Sequence, residues 1–182
     1  SATTAIECEE LERNIVWIDL QEELIQRANE LIDKNKIFVH FGIWDSGSEK
    51  IKNEIQKILD FRKVEGFDLA LLHPPYDDII KFSDEKECLS NCQFSDEDWD
   101  LSRCKSVEDF YTQFWKVLKN TFELTKKWGY MVIVIWDKYQ NSEWIPLWFW
   151  CMNEAQKVGF KLKSIIVKNM EWNSCSILFL LQ

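Results

Sequence analysis

The feature that most constrains this chain is its alternation of short, almost wholly apolar runs with longer amphipathic ones. Asn14–Ile18 (NIVWI), Lys36–Phe41 (KIFVHF), Phe67–Leu72 (FDLALL) and Tyr130–Ile135 (YMVIVI) read as strands. Gln21–Asp33 carries Leu24, Ile25, Ala28, Leu31 and Ile32 at helical spacing, and Glu49–Phe61 places Ile51, Ile55, Ile58 and Leu59 on one face. Thr3–Arg13, Val107–Lys126 and Leu147–Val158 read as further helices, and Lys161–Val167 and Ser176–Leu181 as the last two strands. A strand that is apolar throughout must be covered on both faces. The pattern therefore predicts an α/β fold, a largely parallel sheet with helices on both sides, in a single domain over 1–182. Asp77–Lys105 breaks the pattern: it holds nine acidic residues, three cysteines and no period, and reads as an irregular acidic insertion or loop.

Ligands of such sheets bind beyond the carboxyl ends of the strands, so the residues that follow each strand are the candidates. Asp19 follows the first run, Asp45 and Ser46 follow the second, and Asp137 follows YMVIVI. His73, Pro74, Pro75 and Tyr76 follow FDLALL. Two prolines end a hydrogen-bonding ladder, so this tetrapeptide is a stiff corner that presents an imidazole and an aromatic ring. Each candidate has a plainer reading beside the functional one. The tetrapeptide can be a rigid turn, Asp19 can cap the next helix, and Asp45 with Ser46 can be a polar turn.

Charge and cysteines narrow the function classes. The net charge is −9 over 182 residues, which argues against this chain alone gripping nucleic acid over a wide surface. No apolar run reaches membrane-spanning length and the N-terminus does not read as a signal peptide. Cys8, Cys88, Cys92, Cys104, Cys151 and Cys175 are scattered, which predicts reduced thiols and a cytoplasmic protein. Cys88, Cys92 and Cys104 match no standard zinc spacing, so no metal is expected.

Four segments resemble the S-adenosylmethionine-dependent DNA methyltransferases that modify exocyclic amines of adenine or cytosine, with the cofactor motifs before the catalytic one. LLHPPY resembles their Asp/Asn/Ser-Pro-Pro-Tyr/Phe motif, and SATTAIECEE resembles the second half of their glycine-rich cofactor loop with the start of its helix. IVWIDLQEELIQRANE is similar to the next motif, an Ile-Gly-Ile-Asp turn followed by a helix, and KKWGYMVIVIWDKY to the fifth strand and the turn before it. The resemblance implies a Rossmann-like methyltransferase fold and S-adenosylmethionine as cofactor, with DNA as substrate. It implies a catalytic corner of His73, Pro74, Pro75 and Tyr76, and cofactor contacts from Thr3, Thr4, Asp19, Asp45 and Ser46. For Thr3 and Thr4, helix capping is the plainer alternative.

The chain also departs from that family. His73 stands where the motif has Asp, Asn or Ser. The sequence starts inside the cofactor loop, so the first strand of the family fold is expected to be missing, and the sheet position this exposes suggests a possible homodimer. Trp17, Trp128, Trp136, Trp148 and Trp172, with Trp44 as a sixth case, fall where similar sequences carry Gly, and the chain has 10 Trp against 5 Gly. This pattern fits a source that reads UGA as glycine, with those codons translated here as Trp. Two further readings follow from the departures: a non-catalytic or degenerate subunit that keeps the fold, and a methyltransferase of RNA or protein.

Overall fold

The computed structural model describes residues 3–74, 101, 104, 106–140, 142–170 and 174–182. In chain order its elements are α1 (Thr3–Glu10), β1 (Ile15–Asp19), α2 (Glu22–Leu31), β2 (Val39–Ile43), α3 (Glu49–Arg62) and β3 (Phe67–Leu72). Then come α4 (Val107–Leu124), β4 (Thr125–Ile135), β5 (Lys138–Gln140), β6 (Glu143–Ile145), α5 (Leu147–Val158), β7 (Leu162–Met170) and β8 (Ser174–Leu181). The acidic segment expected to be irregular lies almost wholly outside the described residues.

The helices form where sequence and capping agree. In α3 the buried residues Ile51, Ile55 and Leu59 recur every four positions, and the helix stops at Lys63, whose left-handed backbone lets its N–H reach Asp60 O. In α4 the hydroxyl of Ser106 accepts from the Asp109 N–H at 3.1 Å, and Glu108 and Asp109 sit at the positive end of the helix dipole. That helix ends at Leu124 rather than Lys126, because β4 starts at Thr125 and includes the polar Lys126 and Lys127.

β1 pairs parallel with β2, and a second sheet has the order β3-β4-β8-β7. There β3 and β4 are parallel, while β8 runs antiparallel between β4 and β7, so this sheet is mixed. Its main core is built by α4 and α5 over one face: Phe110, Phe114, Leu118, Met131, Ile133, Ile135, Leu147 and Cys151 are all fully or nearly fully buried. Two smaller cores serve the β1–β2 pair. Ala5, Ile32 and Ile37 pack with Trp17 and Phe41 on one face, while α3 brings Ile51, Ile55 and Leu59 against Ile18 and Trp44 on the other.

No hydrogen bonds join the two sheets among the described residues: β1 and β3 each have a single paired neighbour. They are held in one body by α3, since Ile18 of β1 and Phe67 of β3 touch the same helix core.

Of the tryptophans at expected glycine positions, Trp128 has φ +72°, a backbone that favours glycine. Trp17 packs in the Ala5 core with its ring 6.1 Å from Phe41, and Trp136 and Trp148 pack on the main core. Trp44 lies over Gly42 so closely that a Cβ there would meet Trp44 Cε3 at 2.4 Å. Trp172 lies outside the described residues.

Candidate functional site

Asp19 is the last residue of β1, and β2 ends level with it, since Asp19 pairs with Ile43. Its Oδ1 accepts from the Gln21 N–H at 2.9 Å, which turns the chain into α2, and its carbonyl accepts from the Trp44 N–H at 3.2 Å. The capping role expected of Asp19 is thus present in one carboxylate oxygen.

Asp45 uses its own Oδ1 to accept from the Gly47 N–H at 2.8 Å, a turn closed by a side chain. The Ser46 carbonyl accepts from Asn120 Nδ2 at 3.0 Å, and the Ser48 carbonyl from the same nitrogen at 3.3 Å. Asn120 is the one buried polar side chain among the described residues, and it ties the β2–α3 turn to α4. Between them lies an open cleft of about 550 Å³, lined by Asp45, Ser48, Lys116 and Lys119 among others. The polar-turn reading of Asp45 and Ser46 is therefore present in the structure, beside a cleft that leaves room for a ligand.

Thr3 and Thr4 are the exposed first residues of α1. They stand beside Ala5, which anchors α1 beneath the β1–β2 pair.

His73 and Pro74 leave the second sheet directly after β3. His73 is exposed and Pro74 is buried. Enough of the imidazole lies against protein for burial to hold its pKa below the usual 6.5. At neutral pH the ring is then neutral, with one nitrogen able to accept a hydrogen bond. Pro75 and Tyr76, the rest of the expected corner, lie outside the described residues, as do Cys88 and Cys92.

Two features had surroundings that the sequence did not give, although Asp137 was among the strand-end candidates. Asp137, two residues beyond β4, accepts from the Trp148 N–H at 3.4 Å and from the indoles of Trp144 and Trp148. The N-cap of α5 is Pro146, which offers no side-chain acceptor, so Asp137 caps that helix from a distance in sequence. Burial nevertheless outweighs these donors and raises the Asp137 pKa. His40, on β2, has its Nε2 buried with no hydrogen-bond partner among the described residues, and its ring lies 5.2 Å from that of Trp44. The apolar run KIFVHF gave no signal of that packing.

The structure thus brings Asp19 and Asp45 together at the end of one parallel pair and places His73 at the end of a different one. Among the described residues no group of three or more His, Cys, Asp or Glu side chains is arranged to hold a metal.

No protein-family model matches the sequence, and no curated protein matches it. Solved structures do. A methyltransferase from Pyrococcus furiosus shares 17% identity at TM-score 0.58, covering 99% of this chain and 69% of that one. LepI, solved with S-adenosylhomocysteine and a substrate analogue, shares 10% identity at TM-score 0.53 over 98% of this chain and 39% of its own. TTHA0409 from Thermus thermophilus, provisionally assigned as a DNA modification methylase, shares 17% identity at TM-score 0.43. That alignment covers 63% of this chain, and the chain spans less than half of TTHA0409, 43% of its length. With its strand ends, helices and sheet as described, this chain has the α/β fold of the Rossmann-like methyltransferases.

Proposed function

We propose that this chain is an S-adenosylmethionine-dependent methyltransferase domain acting on an exocyclic amine of adenine or cytosine in DNA. The observation that carries the reading is the His73-Pro74 corner directly after β3, at the end of the parallel pair. The LepI complex, on a related fold, holds S-adenosylhomocysteine. The position of Asp19 at the end of β1 suits that cofactor: its carboxylate would meet the ribose hydroxyls, where acidic residues serve nucleotide riboses in related folds. Thr3, Thr4, Asp45 and Ser46 would flank it, and Tyr76 would stack on a base flipped from its duplex.

When bound, S-adenosylmethionine supplies an electrophilic methyl group on a sulfonium. The chain's task is to make a poor nucleophile attack it, because the lone pair of an aromatic amine is delocalised into the ring. His73 accepts a hydrogen bond from one amine N–H, which favours a localised lone pair on that nitrogen. Pro74 restricts the backbone next to the imidazole. Transfer would form the N–CH₃ bond as the S–CH₃ bond breaks, its electron pair returning to sulfur to leave the neutral thioether, and the excess proton would leave the nitrogen towards water. The work is positioning and electrostatics, with no covalent enzyme intermediate.

The test is transfer of radiolabelled methyl groups to DNA, RNA and protein in parallel. The reading expects label on DNA, lost in His73→Ala. Label on RNA or protein alone would move the substrate class. A second reading, a non-catalytic subunit that keeps the fold, is favoured by the separation of Asp19 and His73 onto two unjoined sheets. It expects no label on any substrate.

A further inference from the structure

Trp144 is a large aromatic residue that the fold holds outward and holds still. It is the middle residue of β6 and is 56% exposed. Phe149, in the first turn of α5, meets it edge to face, with ring centroids 6.3 Å apart and planes at 83°, and is itself 40% exposed. Single exposed apolar residues are ordinary on a protein surface. This pair differs because one member is anchored. The Trp144 indole donates to Asp137, whose carboxylate also accepts from the Trp148 N–H. Capping α5 needs only the second of these bonds. The first serves no helix end, and Trp144 is not part of the main core that its neighbours Ile145 and Trp148 pack against. What that bond does is fix one edge of an exposed ring, so that its face meets solvent in one orientation. Trp144 is also not among the tryptophans that fall at expected glycine positions.

The place of this ring matters as much as its exposure. β3 and β4 run parallel with Leu72 beside Ile133, so His73 and Asp137 both leave the sheet at its carboxyl edge. β5 and β6 form a hairpin there, in which Tyr139 pairs with Trp144. The two rings therefore stand on the same edge as the His73 corner. A flat aromatic face takes flat aromatic ligands, and stacking suits any nucleobase because each has a π face. Phosphate is a poor candidate: Glu143, beside Trp144, is exposed, and the net charge of −9 gives a nucleic-acid backbone little to hold. Contact with the faces of bases is the contact that an acidic chain can make.

We infer that Trp144, held at its edge by Asp137 and braced by Phe149, is a stacking platform for an unpaired nucleobase of the substrate strand, a neighbour of the base presented to His73. The inference rests on the reading of the site given above and adds a substrate contact outside the catalytic corner. Extruding one base costs the stacking of its neighbours. A ring fixed in advance replaces part of that stacking without first having to be ordered.

The probe is a short single-stranded oligodeoxynucleotide in which every base is 5-iodouracil, with a fluorescent label at one end. Its binding to the wild type, Trp144→Phe and Trp144→Leu is read by anisotropy. Leucine keeps an apolar side chain and removes the ring, so the inference expects Trp144→Leu to weaken binding by about tenfold and Trp144→Phe to keep most of it. Irradiating the wild-type complex should cross-link iodouracil to Trp144, a readout that depends on no variant folding. Equal binding by the wild type and Trp144→Leu overturns the inference, and so does cross-linking that spares Trp144. No binding to the wild type also overturns it, and is the result expected if these rings meet another protein instead. Methyl transfer to DNA separates this inference from the proposed function. Binding that depends on Trp144 without methyl transfer supports the platform and counts against the methyltransferase reading alone. Methyl transfer with binding unchanged in Trp144→Leu supports that reading and overturns the platform.

Discussion

Trp128 offers the sharpest quantitative test of the backbone. Its φ of +72° sits in a stretch of β4 where the register against β3 shifts, between Phe67 and Leu69. Bulges of this kind use a left-handed residue that is ordinarily glycine. The next residue, Gly129, approaches so closely that a Cβ would lie 2.6 Å from Phe67 O. The Trp128 side chain is 71% exposed, so replacing it forfeits little burial. What it contributes is the Lys127 ammonium 5.7 Å from its ring, worth about 0.5 kcal/mol at an exposed site. Holding a non-glycine residue in this conformation costs roughly 1–2 kcal/mol. Trp128→Gly removes that strain, loses the ammonium contact, and adds unfolded-state entropy worth roughly 0.4–1 kcal/mol. The net change is then small. Trp128→Ala loses the ammonium contact and keeps the strain. The glycine variant should therefore be the more stable of the two by about 1 kcal/mol, a difference of roughly 2–4 °C in Tm for a chain of this size. Urea melts of the three proteins measure it. If alanine equals or exceeds glycine, the left-handed strain assigned to Trp128 is wrong. At Trp17 the opposite holds: it packs in a core, and Trp17→Gly should destabilise by roughly 3 kcal/mol.

Other outcomes follow from single contacts. Asp137→Ala should lower stability by about 1–2 kcal/mol in thermal melts by uncapping α5, and Asp137→Asn should recover part of that, because an amide oxygen still accepts. Ser106→Ala should cost about 1 kcal/mol by freeing the Asp109 N–H at the start of α4. The lowered pKa of His73 gives a signed pH effect. The unfolded chain takes up the proton first as pH falls, so the stability favouring neutral His73 is complete above 6.5 and is lost as pH drops from there through the folded value. Methyl transfer should decline over that same acid window, and His73→Asn should flatten the profile.

The apolar runs were legible as strands from their pattern alone, although the burial on both faces expected of them is absent at β3, where Leu69 and Leu71 are exposed. YMVIVI and FDLALL lie within β4 and β3. The start of β4 was not legible, since Lys126 and Lys127 continue a helical-looking surface and only pairing with β3 makes that segment a strand. The hairpin of β5 and β6 was missed for a similar reason: three-residue strands carry too little pattern. At the site, Asp19 could be placed from its position after a strand. The partners of Asp137 could not, because Trp144 and Trp148 reach it only through the tertiary fold. The antiparallel seat of β8 between β4 and β7 depends on long-range pairing that no local window contains.

The central claim is that Asp19, at the end of β1, holds the cofactor. S-adenosylmethionine titrated by calorimetry into the wild-type chain, Asp19→Ala and His73→Ala tests it most directly. The account predicts binding to the wild type that is lost in Asp19→Ala and kept in His73→Ala. Equal binding by the wild type and Asp19→Ala would contradict it.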